Sequence, residues 1–291
     1  MTTTTASGSD WRAVVQRLRA DRRSVLAAAT LMGMIVLVLV GPLLTAWAPY
    51  EQIDITHLVL APPSATHLLG TDAVSRDVLS RVLSGGRVSL AVAMSAVCIE
   101  VLVGVLWGLV AGLGSRWVDS LMMRCVDAGM SVPRVLLLLA LLAAIPQFPV
   151  WLLVLMLGVT GWFGIARLVR GEVRTVRSGD FVLAARALGA SPARLALRHV
   201  LPHVMGPVLV SATMAVGQVI VLEAGMSWLG IGVQPPRASW GNIIRDGTEF
   251  IASAPWVTLG PGVCLVLVVL AVSALGDGLR DALAPRQLPR T

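Results

Sequence analysis

Apolar residues in this chain gather in long unbroken runs, and the stretches between them are short, polar and rich in Arg, Gly and Pro. The first run, at about 25–47, exceeds the roughly 20 residues that a helix needs to cross a bilayer. It is longer than a signal-peptide core and ends without a small-x-small cleavage pattern, so it reads as an uncleaved span. Further runs predict spans at about 88–113, at 118–145, from a break at 146–149 to about 168, at 204–229 and at 256–275. The pattern predicts an all-α integral membrane protein with six transmembrane helices. Its parts are a tail at 1–24, a first helix at 25–47, an extracytoplasmic segment at 48–84, a core at 85–282 holding the other five helices, and a tail at 283–291.

One interruption is too polar for lipid and yet helical in pattern. Within the loop at 171–203, the spacing predicts a short helix over 181–188, about 12 Å long, in which Ala184, Ala185 and Ala187 allow close backbone approach. Gly189 can take the left-handed conformation that ends a helix without a steric penalty. Ser191 then caps a second helix and Pro192 takes its first position, where a missing N–H costs nothing. Pro202 is expected to end that helix, since its ring excludes the preceding turn.

Several polar residues fall inside the apolar runs. Glu100, Gly104, Gly108 and Gly112 recur every fourth residue and form one ridge, and small residues so spaced let helices pack closely in lipid. That ridge is expected to face protein. Glu100 would otherwise meet hydrocarbon at a cost of about a few kcal/mol, so it needs a partner or a water-filled path. Arg124 and Asp127, three apart, are expected to pair, and Pro133 to kink the third span. Arg134 has two readings, a residue lining a translocation route or a charge pinned to a neighbouring helix. Glu223 likewise either faces cargo near an outer gate or anchors the Gly- and Pro-bearing loop that follows it. The translocation-path candidates are therefore Glu100, Asp127, Arg134 and Glu223. Cys98, Cys125 and Cys264 lie in apolar segments without C-x-x-C spacing and are expected to be buried small apolar residues.

Composition agrees with the pattern: the chain is 56% hydrophobic and 13% charged, with a mean hydropathy of +0.81. All 23 basic residues are Arg. Without Lys there is no phosphate-binding loop of the G-x-x-x-x-G-K-[ST] type, so the chain carries no ATPase of that kind. The net charge of +7 lies mainly at the ends of apolar runs, which suits topology signals and argues against nucleic acid. Most of the arginines outside the spans fall on segments assigned inside, which puts both termini in the cytoplasm. His199 and His203 have the spacing of H-E-x-x-H, but Val200 holds the Glu position, so no metal site is expected. No nucleophile with a positioned base lies at membrane depth, so no catalytic residue is assigned.

Leu183-Ala184-Ala185, Gly189 and Leu201-Pro202 resemble the E-A-A, Gly and Leu-Pro pattern of permease subunits of ATP-binding-cassette importers, with Leu183 in place of the Glu. His67-Leu-Leu-Gly70-Thr71-Asp72 and Ser75-Arg76-Asp77-Val-Leu-Ser-Arg81 are similar to H-P-L-G-T-D-x-x-G-R-D-V-L-S-R of the peptide and nickel branch, from which Leu68 and Ser75 depart. Matches at Ala166-Arg167, at Ser239-Trp240-Gly241 and from Gly276-Asp277 to Arg286 extend the resemblance, most closely to the C-type subunit of oligopeptide and dipeptide permeases.

The resemblance implies a type I importer permease fold in the bacterial inner membrane. It implies a cytoplasmic coupling helix whose contacts are Phe181, Leu183, Ala184, Ala185, Arg186, Gly189, Leu201 and Pro202. The implied partners are a second homologous permease subunit, two cytoplasmic ATPase subunits that bind ATP and magnesium, an extracytoplasmic substrate-binding protein, and membrane lipid. This chain itself would carry no cofactor. The implied cargo is a peptide, with a nickel chelate as the alternative. A proton-coupled secondary transporter using Glu100, Asp127 and Glu223 is a further alternative, but it leaves the loop pattern unexplained.

Overall fold

The computed structural model describes residues 11–145 and 148–283, so the predicted break at Pro146 and the ends of both tails lie outside the described residues. Helix α1 (Trp11–Ala20) is set off from α2 (Arg22–Leu44) by Asp21. The Asp21 carboxylate accepts from the N–H groups of Arg23 at 3.2 Å and Ser24 at 3.0 Å, satisfying donors that the first turn leaves open. An irregular segment, 45–77, leads to α3 (Val78–Leu113), which Asp77 starts by accepting from the Ser80 N–H at 2.8 Å.

Helix α3 begins ahead of the expected span because the polar residues that suggested a loop find partners in other elements. Arg87 donates to the backbone carbonyls of Val38, at 2.7 Å, and Leu39 in α2. Arg81 is buried in an ionic network described below.

The third span is broken rather than kinked: α4 (Arg116–Ser131) and α5 (Arg134–Ala143) meet at 77° across Val132 and Pro133. The fourth is α6 (Val150–Gly161) and α7 (Phe163–Val176), bent by 41°. Then follow α8 (Asp180–Ala187), the single turn α9 (Pro192–Arg194), α10 (Leu201–Trp228), α11 (Trp240–Thr248) and α12 (Trp256–Leu283). Among the described residues, α2, α3, α12 and the continuous stretch Pro192–Trp228 that ends in α10 are each long and apolar enough to cross a membrane, and up to six spans result if each bent pair is one. Among the described residues there is no strand, only an isolated bridge between Thr71 and Asp77.

Pro202 does not end a helix. The turn before it, Leu195–Val200, is π-helical, and the Leu201 N–H donates to the Ala196 carbonyl, five residues back. The wider turn clears the carbonyl that the proline ring would strike, so the helix runs on from Pro192 to Trp228.

The glycine ridge of α3 faces α7. A Cβ built on Gly104 would lie 2.7 Å from Ile165 Cβ, one on Gly108 would lie 2.6 Å from Val169 Cβ, and one on Gly112 would lie 2.6 Å from Val173 Cγ1. Three β-branched residues spaced four apart thus fill three notches spaced four apart, and dispersion contacts replace the hydrophobic drive that lipid cannot supply. The cysteines depart from expectation: Cys98 and Cys125 are exposed and Cys264 is partly so. An apolar run in a membrane protein has a lipid face as well as a protein face, and an uncharged thiol suits either.

Candidate functional site

Helix α8 lies in a polar, arginine-bearing stretch between α7 and α10 and has two unlike sides. Val182 is fully buried in a cluster with Val173 of α7 and Leu195, Val200 and Val204 around the start of α10. Leu183 and Leu188 point away from that cluster, with Leu188 89% exposed, Phe181 is half-exposed at its edge, and Ala184, Arg186 and Ala187 are exposed. The Phe181 ring stacks on His203 with centroids 4.8 Å apart, which fixes α8 against α10. Gly189, with φ at +80°, reverses the chain, and the Ser191 hydroxyl accepts from the Arg194 N–H at 3.3 Å to open the next turn. Ala185 is half-buried, Leu201 is half-buried and Pro202 is exposed. The sequence-predicted coupling residues therefore gather on one small knob, of which Val182, not singled out by sequence, is the root.

The four intramembrane candidates do not form one site. Glu100 is buried and accepts from Arg134 Nη2 at 2.5 Å. The same guanidinium donates to the Leu157 carbonyl at 2.6 Å and to the Thr160 hydroxyl at 3.3 Å. Gly161 makes the pair possible, because a Cβ there would fall 1.9 Å from Glu100 Oε1. Arg134 also lines a cavity of about 580 Å³ with Gln218, Ser273 and Asp277. Asp127 does not pair with Arg124; its carboxylate is exposed and takes Arg167 of α7 instead. Arg167 comes to it because α7 packs alongside α4, a register set by Asp119, which accepts from Arg170 Nε at 2.8 Å and Nη2 at 2.7 Å. Sequence reading missed Asp119, whose partner lies in a different span. Glu223 is fully enclosed, accepting from the hydroxyls of Ser227 at 2.7 Å and Ser89 at 2.8 Å. Those hydroxyls accept in turn from the N–H groups of Val233 and Trp240, so the carboxylate sits beneath the loop that follows α10.

The second sequence motif forms a separate knot in segment 45–77. Asp72 accepts from the N–H groups of Val74 at 3.0 Å and Arg76 at 2.9 Å, from Arg76 Nε at 2.7 Å, and from Arg81. Arg81 carries the link on to Asp246 of α11 at 3.1 Å. His67 Nδ1 lies 3.0 Å from Asp77 Oδ1. Burial pushes the Asp72 carboxyl pKa up, but the Arg76 N–H and the charges of Arg81 and Arg76 together outweigh it and hold the group below the ordinary carboxylate value.

Such a molecule, helical throughout its regular structure among the described residues, apolar enough to cross a membrane up to six times and carrying a knob of apolar side chains on a polar stretch, belongs to the class of polytopic membrane proteins. Residues 104–288 match the family described as "Binding-protein-dependent transport system inner membrane component", and residues 9–63 match the N-terminal TM domain of oligopeptide transport permease C. This chain belongs to that inner-membrane-component family. A protein of Brucella suis biovar 1, provisionally named a peptide permease, is 41% identical over 273 residues, 93% of this chain and 89% of its own length. The dipeptide transport system permease protein DppC of Alkalihalophilus pseudofirmus is 36% identical, covering 96% of this chain and 90% of its own. The oligopeptide transport system permease protein OppC of Bacillus subtilis is 32% identical, covering 95% and 90%.

Proposed function

We propose that this chain is one permease half of an ATP-driven, binding-protein-dependent peptide importer, with both termini in the cytoplasm. The observation that carries the reading is the knob at α8. Its inner side is locked into the core by Val182, while Phe181, Leu183 and Leu188 present apolar area outward. Exposed apolar area on an otherwise polar stretch calls for a partner, and a cleft on a cytoplasmic ATPase subunit suits a helix of eight residues. Because Val182 and the Phe181–His203 stack join the knob to α10, a push on it is passed to a membrane-spanning helix. The chain's part is then coupling between sites through a two-state element, with ATP and magnesium held by the partner ATPase subunits.

Peptide is favoured over a nickel chelate because the relatives are named for dipeptides and oligopeptides. Of the path candidates, we assign Arg134 to the lining of the route, because it borders a cavity with Gln218 and Asp277. Glu223 we assign to holding the outer loop, because both its oxygens are taken. Purification of the intact complex tests the reading: two ATPase subunits and a second permease should copurify, and Leu183→Cys should crosslink to an ATPase subunit. Uptake by vesicles holding this chain alone overturns it. So does uptake that survives ATP depletion but collapses with the proton gradient.

A further inference from the structure

An apolar crevice of about 410 Å³ runs between five helices and is distinct from the cavity beside Arg134. Leu18 of α1, Leu31 and Ile35 of α2, Met94 of α3, Val216 of α10 and Leu279 of α12 are among its walls. Thr213, its one polar wall residue, donates its hydroxyl to the Leu209 carbonyl at 2.8 Å. A space with no polar group left to bind water stays dry or takes hydrocarbon.

One end of the crevice is strongly basic. Leu18 lies on α1, which carries Arg12, Arg17 and Arg19, has no acidic residue, and is followed, after Asp21, by Arg22 and Arg23 of α2. Two contacts hold this end together. Arg17 Nη1 donates to the Ala282 carbonyl of α12 at 2.7 Å, and Gly278 of α12 faces Ser24 of α2, whose Oγ lies 1.9 Å from where a Cβ would be. Among the described residues of α1, the turn into α2 and the last two turns of α12, the acids are Asp21, committed to the N–H groups of Arg23 and Ser24, Asp277, which lines the other cavity, and Asp281. Trp11 and Val15 are both 43% exposed among the arginines, the make-up of a helix lying along a membrane surface.

We infer that this crevice binds one anionic glycerophospholipid, with one of its two acyl chains between α2, α3, α10 and α12 and its phosphate on Arg19, Arg22 and Arg23. Charge complementarity selects the headgroup and the dry walls select the chain, so neither half of the ligand suffices. The inference is independent of the cargo and of the ATPase.

The test uses the full chain with the subunits that copurify, titrated with dioleoyl phosphatidylglycerol, with dioleoyl phosphatidylcholine and with glycerol 3-phosphate, bound lipid being counted by native mass spectrometry. Phosphatidylglycerol should bind at least about tenfold more tightly than phosphatidylcholine, and glycerol 3-phosphate should not compete. At about fivefold per arginine near a charged headgroup, Arg19→Gln, Arg22→Gln and Arg23→Gln together should erase that preference, while the corresponding Lys variants keep it. Val216→Phe, which fills the crevice, should weaken both lipids and leave their ratio unchanged. Equal binding of the two lipids by the unaltered chain overturns the proposal even if the Gln variant does not insert. So does effective competition by glycerol 3-phosphate, or full binding by Val216→Phe.

Discussion

Gly161 shows how one atom decides the fate of a charge. A methyl group at that position would occupy the place of Glu100 Oε1, and it would also lie 2.6 Å from Arg134 Nη2. Gly161→Ala should therefore push the pair apart and lower the thermal stability of the detergent-solubilised chain. Arg134→Gln leaves the Glu100 carboxyl buried without its guanidinium partner, and breaking a buried pair from one side costs about 3–5 kcal/mol. Adding Glu100→Gln removes the stranded carboxyl, so the double variant should melt above the Arg134→Gln single; a double variant no better than the single would refute the assignment. That Glu100 needed a partner was legible from its place in an apolar run. Which residue would serve was not, because Arg134 is 34 positions away and only a packed α5–α6 turn brings it near. Asp127 failed for the same reason: helical spacing offers Arg124, and the neighbouring helix offers a better-placed Arg167.

Among the elements, α3 was the most legible, since a period of four in Glu and Gly is a property of one helix and needs no knowledge of its partner. Gly108→Leu should separate α3 from α7, because even the first added carbon would stand 2.7 Å from the Ala166 carbonyl oxygen. Overpacking of this kind costs about 1–3 kcal/mol, measurable as a lowered unfolding temperature. Helix α8 and its glycine were legible too. Nothing lies within 4 Å of a Cβ at Gly189, so a side chain there fits in space but not in backbone angle. Gly189→Val should therefore abolish peptide uptake while leaving membrane insertion intact, and normal uptake in that variant would count against the coupling role. Pro202 was misleading because the rule that proline stops a helix assumes α-helical pairing, and one π-helical turn suspends it.

At the scale of the whole molecule, the Asp72 knot binds segment 45–77 to α11 through Arg81 and Asp246, joining parts of the chain more than 160 residues apart. Because the folded state holds Asp72 below its ordinary pKa, its contribution is fully present above the unfolded value of about 3.9 and is lost as the pH falls through the lower folded value. Resistance of the segment to an acid-active protease should stay level down to about pH 4 and drop below it, and Asp72→Asn should start lower and lose that step. The sequence alone determined what each stretch could do in isolation: which runs are long enough to cross lipid, where glycine permits close approach or a left-handed turn, and that the chain carries no lysine-bearing phosphate loop. These follow from local chemistry and from spacing along one helix. Only the tertiary structure decided which charges meet, that the third span breaks by 77°, that Glu223 is sealed under the loop that follows α10, and that an apolar crevice reaches Leu18 of the arginine-bearing α1. Each of those depends on surfaces from different helices coming into register, and no single helix carries that information.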